Sequence, residues 1–260
     1  MIDPFHLAAY GTTTVNYNRD VEIFPVLSAI FEKIIGECPY KSPTDMGVNM
    51  VGHCIVDDEA VRAAAHQEIV RRYYEAICDR KQGRGSDETV YKLELLMKQA
   101  KIDTSIRRVV ETALERAEET GLPAVAIELA DGQLVTGKTT DLMGPSAGAL
   151  LNALKALAGI GKKGVHLISP EAIRPIQRVK VDHLGSQNPR LHSDEILIAL
   201  AISATEDPVA AKALSHLADL RGCQAHSTVI LSSADWDIYK KLGLQMTCEA
   251  QYETNKLFHR

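Results

Sequence analysis

The chain has 260 residues, of which 45% are hydrophobic, so it is long enough for one large domain or two smaller ones with an ordinary core. It carries 29 Lys and Arg residues against 34 Asp and Glu residues, a formal net charge of −5. This acidic balance, together with only 5% aromatic residues, argues against a nucleic-acid-binding surface, which needs basic stripes and stacking rings.

The N-terminus, MIDPFHLAAYG, lacks the basic region and apolar core of a secretory signal. The most apolar stretch, residues 147–160, is interrupted by Asn152 and Lys155 and is too short to span a bilayer. The five cysteines form no Cys-x-x-Cys motif and are interpreted as reduced thiols. We therefore expect a cytoplasmic protein with no membrane partner.

Residues 1–121 are predicted to form a mainly helical region with polar loops. Asp20 is placed to cap a helix whose first turn includes Pro25 and which ends at Gly36. Three amphipathic helices with apolar residues at helical spacing follow it. A domain boundary is expected near Pro123, where the pattern of apolar residues changes.

Residues 122–250 are predicted to form the second domain, and residues 251–260 a tail. β-forming runs predict strands near 124–129, 133–137, 165–168, 225–231 and 245–249. Helices are predicted near 145–158, 169–184, 193–204, 207–218 and 234–242, and the first of these is almost entirely apolar. The fold class is therefore α/β, with an N-terminal helical segment followed by a mixed β-sheet covered by helices.

Residues 132–139 read GQLVTGKT, which matches the phosphate-binding pattern G-x-x-x-x-G-K-[ST]. In such a loop a helix begins at the lysine, so that its N–H groups point at the phosphates. Here the helix is delayed to Pro145, and Asp-Gly at 131–132 is a strong hairpin-turn signal, so a hairpin is the preferred interpretation. Lys138 and Thr139 at its exit are candidate contacts for an anion or for ATP with Mg²⁺. The alternative is that this segment only caps the next helix.

His192, Cys223 and His226 are the candidate catalytic residues. Cys223 and His226 form a Cys-x-x-His pair, and His192 lies in the run PRLHSDE. These side-chain types bind zinc, which makes a zinc site one hypothesis, although no His-Glu-x-x-His motif is present and no metal ligand is assigned. A Cys223 nucleophile activated by either histidine is a second hypothesis. The structural alternative is that Ser193 caps a helix and Cys223 is a buried thiol.

Two polar loops, TVNYNRD at 14–20 and KSPTDMGVN at 41–49, lie on either side of the first predicted helix. Polar loops held on rigid helices often carry substrate contacts. Arg19 and Lys41 are their candidate anion or cofactor contacts. The structural alternative is that Asx turns and a helix cap account for both loops.

Several long runs of the chain resemble a known bacterial family. The runs MIDPFHL, TVNYNRDVEIFP, YKSPTDMGVNM, IVDDEAV, HLISPE and NPRLHSDE occur in this order, and they resemble the second half of the bacterial domain-of-unknown-function family 1846. The resemblance covers the chain as far as Tyr252. It implies a protein of roughly twice this length, whose first half contains a Rossmann-like region with its own glycine-rich loop.

Some members of that family carry the label ATP-dependent peptidase, which assigns no catalytic residue to this chain. If the phosphate loop of the family lies in the other half, the octet at 132–139 is not needed as a second one. On this resemblance the chain is a C-terminal half that begins at Met1 in the middle of the family's length. It would then be a fragment, a separately encoded half or the product of a late start.

The sequence therefore predicts an uncharacterised protein that forms the C-terminal part of a cytosolic bacterial enzyme acting on a phosphate- or nucleotide-containing small molecule. A non-catalytic domain for oligomerisation or support is the alternative, and a zinc-dependent hydrolase is the second alternative. We expect a homo-oligomer, with a missing or separately encoded N-terminal half as a further partner.

Overall fold

The structure is a computed structural model that describes residues 20–41, 58–161 and 165–253. The chain divides into two compact units, Met1–Arg107 and Arg108–Arg260. Arg19, most of the two polar loops and the end of the predicted tail lie outside the described residues. None of the described helices is both long and apolar enough to cross a membrane.

The described part of the first unit is helical. It contains α1 (Asp20–Ile35), α2 (Asp58–Lys81), α3 (Asp87–Ala100) and a short 3-10 turn at Thr104–Ile106. Helix α1 ends as predicted at Gly36, which has a φ of +87°, but Pro25 lies inside the helix rather than in its first turn. At the start of α3, Ser86 Oγ accepts a hydrogen bond from the backbone N–H of Thr89, and this caps the helix.

The second unit alternates helices with short strands. Its elements are α4 (Arg108–Thr120), β1 (Ala124–Glu128), β2 (Leu134–Lys138), α5 (Pro145–Leu157), α6 (Pro170–Arg178), α7 (Ser193–Ser203), α8 (Pro208–Leu214), β3 (Gln224–Ser227), α9 (Ser233–Leu242) and β4 (Gln245–Cys248). A π-helical turn at Val179–His183 extends α6, and a 3-10 turn at Leu217–Leu220 follows α8.

The four strands form one mixed sheet in the order β2-β1-β3-β4. Strand β1 is antiparallel to β2 and to β3, whereas β3 and β4 are parallel. Strands β2, β3 and β4 therefore run in the same direction, and their carboxyl ends meet at one edge. We call this end of the sheet the carboxyl edge and the opposite end the amino edge. The fold class predicted from the sequence, α/β with a helical N-terminal segment, is confirmed.

The octet at 132–139 forms the predicted hairpin. Its turn is closed by Gly132, with a φ of +81°, whose N–H donates to the carbonyl of Leu129. A methyl group added to Gly137 would lie 2.1 Å from the backbone nitrogen of Ala149 in α5. The second glycine of the octet thus allows close packing of β2 against α5, and the helix begins seven residues after Lys138.

Helices α4 and α5 cover opposite faces of the sheet. Ala126 packs against Val109 and Ala113 of α4. Gly137, which touches α5, pairs with Val125, the neighbour of Ala126 on β1. Adjacent residues of a strand point to opposite faces, so the two helices lie on different sides. The packing of α4 on the sheet explains why the units divide after Arg107, whereas the sequence placed the boundary near Pro123.

Two strand predictions need correction. Residues 165–168 form no strand, although Leu167 and Ile168 are buried, because a short apolar run does not by itself distinguish a strand from a buried connection. Strand β3 was predicted as 225–231 but ends at Ser227, whose hydroxyl accepts the N–H of Val229 and so turns the chain.

Candidate functional site

Polar side chains gather at the carboxyl edge of the sheet. Helix α9 follows β3 there, and its first turn lies against the start of α7 through hydrogen bonds from Ser193 to Asp235. The segment before α7 pairs with the segment before α5, since Leu191 and Met143 form a parallel bridge. In α/β sheets the space outside the carboxyl ends of the strands is the usual place for a ligand.

Asp235, in the first turn of α9, is the centre of this cluster. One carboxylate oxygen accepts the N–H and the hydroxyl of Ser193, at 2.9 and 2.5 Å. The other accepts the hydroxyl of Ser232 at 2.8 Å and lies 2.9 Å from Nδ1 of His192. Burial alone would raise the pKa of Asp235, but the contacts with His192 and Ser193 prevail and hold it well below its ordinary value. Asp235 is therefore a buried carboxylate that stays ionised.

His192, the residue before α7, is oriented by Asp235. The hydrogen bond to this carboxylate raises the pKa of His192, and the accompanying burial opposes the rise only in part. With Nδ1 directed at Asp235, the other ring nitrogen, Nε2, forms no hydrogen bond with a described residue. The side chain of His192 is 18% exposed. This arrangement suits a proton donor or acceptor whose ring is held by an aspartate.

A second carboxylate fixes the same turn. Glu195 Oε2 accepts the backbone N–H of His192 at 2.7 Å and forms an ion pair of 2.7 Å with Lys180. The Lys180 ammonium also donates to the carbonyl of Arg190 at 2.7 Å. The backbone that carries His192 is thus held from both sides, and the position of its imidazole depends on these buried contacts.

The exit of the hairpin lies beside this segment. Arg190 forms an ion pair of 2.8 Å with Glu253, and the hydroxyl of Thr139 lies 3.4 Å from the same Glu253 oxygen. Thr139 is buried, whereas Lys138 is only partly buried and forms no ion pair with a described residue. The structure therefore brings Lys138, Thr139 and Arg190 to the same edge as His192.

The other two candidate catalytic residues lie elsewhere. Cys223 precedes β3 at the amino edge, where its Sγ lies 3.7 Å from the carbonyl of Asp219. Burial raises the pKa of the Cys223 thiol, which disfavours the thiolate that a nucleophile needs. His226 is fully buried within β3, with Nδ1 2.9 Å from the hydroxyl of Thr247 and Nε2 3.3 Å from Glu249. Neither residue is a described hydrogen-bonding partner of His192.

Comparisons with known proteins cover both units of the chain. Residues 105–258 match the model of the domain of unknown function DUF1846, C-terminal, and residues 1–101 match that of DUF1846, N-terminal. The chain belongs to this family. It carries regions that match both DUF1846 domains, so the expectation that it represents the C-terminal half alone is wrong.

The chain is also similar to proteins of Streptococcus pneumoniae. UPF0371 proteins from the strains JJA, CGSP14 and Hungary19A-6 are each 55% identical to it over 260 residues. The similarity covers 100% of this chain but 52% of each relative, so the chain spans about half the length of the curated relatives it matches. Neither the family description nor these names state a reaction.

The remaining predicted contacts of this DUF1846 protein lie in the first unit or outside the described residues. Lys41 is exposed and lies after α1, on the rim of a cavity between the helices of the first unit. Arg19 lies outside the described residues. In the part of the chain that the structure describes, no group of three His, Cys, Asp or Glu side chains is arranged to hold a metal ion.

The partner of His192 was not predicted from the sequence. Asp235 lies 43 residues further along the chain, and only the packing of α9 against α7 brings the two together. The one local signal was Ser232 followed three residues later by Asp235 directly after a predicted strand, a pattern typical of a helix start. That pattern predicts the cap, which the structure confirms, but it contains no information about His192.

Proposed function

We propose that this DUF1846 protein is part of an enzyme that acts on a phosphate- or nucleotide-containing small molecule, with His192 as its general acid and base. The observation that carries the proposal is the contact between Nδ1 of His192 and the buried carboxylate of Asp235, which leaves Nε2 without a described partner. An aspartate in this position fixes the tautomer of the histidine and stabilises its protonated form.

The preference for an anionic substrate rests on the cations at the carboxyl edge. Arg190 uses one guanidinium nitrogen for Glu253 and has further N–H groups that suit phosphate oxygens. Lys138 offers a second positive charge from the exit of the hairpin. A raised pKa also favours the protonated imidazole, which attracts an anion and donates a proton to it.

In the proposed reaction, His192 acts through Nε2 alone. Its protonated form donates the Nε2 proton to the leaving oxygen as the bond to phosphorus breaks and a water molecule bonds to phosphorus from the opposite side. The neutral ring then accepts, through solvent, the proton that this water releases. Asp235 remains ionised throughout and keeps Nδ1–H in place. Proton transfer by a positioned side chain contributes about 10²–10⁴-fold to the rate of such steps.

The test measures phosphate release from a panel of phosphate monoesters and nucleotides, with and without Mg²⁺, by the 260-residue protein. His192→Gln should reduce the rate of any hydrolysed substrate by at least about 100-fold. His216→Gln is the matched control, since His216 forms an exposed pair with Asp219 at the amino edge. This variant should be as active as the unchanged protein.

Binding provides a second measurement with the same variants. Nucleotides and inorganic phosphate should shift the NMR signals of the His192 ring, and Lys138→Ala and Arg190→Ala should weaken that response. An unchanged His192 spectrum in the presence of every phosphate compound, together with no phosphate release, contradicts the proposal.

The non-catalytic alternative is favoured by one observation on α7. Ile198 and Ile202 lie four residues apart on this helix and are 62% and 64% exposed, which is high for isoleucine. We propose self-association through this face as the second candidate function. The measurement is the molar mass at increasing protein concentration. Ile198→Glu should shift the protein towards monomers, whereas a monomer at all concentrations contradicts this candidate.

A further inference from the structure

The first unit contains a cavity of about 820 Å³ between α1, α2 and α3. Small-molecule sites in proteins are typically about 300–1,000 Å³ in volume, with mostly apolar walls and a few polar groups. The cavity lies wholly within the first unit, so it is a different site from the one at the carboxyl edge. Its lining indicates which ligand it suits.

Two basic residues of α2 face the cavity. Arg62 and His66 are four residues apart, so they lie on the same side of the helix. Neither forms a hydrogen bond or ion pair with a carboxylate among the described residues. Burial lowers the pKa of His66, and the positive charge of Arg62 lowers it further. The guanidinium of Arg62 therefore places a positive charge beside the His66 ring on the α2 side of the cavity.

The acidic groups of the cavity come from a different element. Glu32 belongs to the last turns of α1, where it accepts the hydroxyl of Ser28 at 3.4 Å, and Glu37 follows that helix. Lys41 lines the cavity from the same stretch of chain. Among the described lining residues α2 contributes no carboxylate, so the acidic groups lie on the α1 side of the cavity.

The rest of the described lining is mostly apolar and aromatic, with Ser28 and Gln99 as further polar residues. Ile69 and Leu96 contribute aliphatic surface from α2 and α3, and Phe24 and Tyr40 contribute aromatic rings. The ring of Tyr40 is held edge-on against Phe31, with 5.8 Å between the ring centres. A ligand with an apolar or aromatic body would remove this surface from water, and flat rings gain additional contacts with aromatic side chains.

We propose that this cavity binds a small organic anion in which one carboxylate or phosphate group contacts Arg62 and His66 and an aromatic body packs against the apolar lining. The guanidinium of Arg62 presents paired N–H groups that match the two oxygens of either group. This binding site is independent of the reaction proposed for His192, which lies in the other unit.

The test follows the NMR signal of the His66 ring during pH titrations. The signal is assigned by its loss in His66→Gln. An anion beside His66 stabilises the protonated ring, so saturating benzoate or phenyl phosphate should raise the pKa of His66. Comparison of the two probes shows whether the carboxylate or the phosphate group is preferred, and benzyl alcohol serves as the neutral probe that leaves this pKa unchanged.

Two variants of α2 form a matched pair for the same titration. Arg62→Gln should weaken the binding of the anionic probes at least about tenfold, because it removes a charge-assisted contact. Arg80→Gln removes an arginine of the same helix that pairs with Asp87 and does not line the cavity, so it should bind as the unchanged protein does. Thermal unfolding establishes that both variants fold.

Three results would overturn the proposal. The first is a His66 pKa that neither anionic probe changes. The second is equal binding of benzoate and benzyl alcohol, which would show that the anionic group makes no contact. The third is unaltered anion binding by folded Arg62→Gln. If the probes change the pKa of His192 but not that of His66, the proposal is likewise overturned, because the anion would then bind at the carboxyl edge.

Discussion

Both edges of the sheet in the second unit have a histidine–aspartate pair. At the carboxyl edge, His192 and Asp235 are separated by 43 residues of chain, and their side chains are only 18% and 7% exposed. At the amino edge, His216 and Asp219 are three residues apart, and their side chains are 29% and 55% exposed. The distances between the paired atoms, 2.9 and 2.7 Å, are nearly the same.

The difference between the two pairs therefore lies in their surroundings. Asp235 accepts three further hydrogen bonds, from the N–H and the hydroxyl of Ser193 and from Ser232, so the fold depends on its charge. Asp219 lies in a short turn where water screens its charge. A contact distance alone therefore does not distinguish the two pairs, whereas burial and additional hydrogen bonds to the carboxylate do.

The two pairs should differ most in the free energy of unfolding that is lost when the aspartate of each pair is replaced by alanine. Asp235→Ala leaves buried donors without an acceptor and should lower the free energy of unfolding by about 3–5 kcal/mol. Asp219→Ala removes an exposed pair and should lower it by no more than about 1 kcal/mol. Urea unfolding of both variants measures the difference, and similar losses would show that the carboxyl edge is not the more tightly built region.

The pH dependence of stability should also differ at the carboxyl edge. Since Asp235 raises the pKa of His192, the stabilisation from this proton is complete below the unfolded value of about 6.5 and is lost as the pH rises through the folded value. Asp235 has a lowered pKa, so its stabilisation is present above the unfolded value of about 3.8 and is lost only as the pH falls through the folded value.

The window between these values is where the pair stabilises the fold most. The free-energy difference between the unchanged protein and His192→Asn should be largest near pH 5–6 and should decrease towards pH 9, by roughly 1.4 kcal/mol for each unit by which the pKa is raised. Urea unfolding at several pH values measures it. A difference that is the same at every pH would mean that His192 acts only through packing.

Local patterns explain what the sequence predicted and what it did not. The hairpin at 132–139 was predictable because Asp131-Gly132 specifies its own turn, and α5 because its nearly continuous apolar run is longer than a strand. The hydrogen bond between His192 and Asp235 was not predictable from the sequence, because it depends on how α7 and α9 pack. The failed strand at 165–168 shows the same limit, since burial of Leu167 and Ile168 arises from tertiary contacts.

The amino edge offers a test of reactivity. Because burial raises the pKa of Cys223, its thiol should react with iodoacetamide at pH 7 at least about tenfold more slowly in the folded protein than in urea. The half-exposed Cys38 of the first unit is the internal reference, and peptide mass spectrometry follows both residues. Rapid alkylation of Cys223 in the folded protein would restore it as a candidate nucleophile.

The smallest effect on stability is expected for Arg190→Ala. Arg190 and Glu253 are 33% and 32% exposed, and such an ion pair contributes no more than about 1 kcal/mol because water already solvates both charges. If Arg190 binds the phosphate group of a substrate, the same variant should nevertheless weaken phosphate binding about tenfold or more, since charge-assisted contacts with an anion are strong. Thermal unfolding with and without phosphate measures both effects on one sample. A variant that loses stability but keeps its phosphate response would assign Arg190 to the fold, whereas the expected result, a stable protein without that response, would assign it to the site.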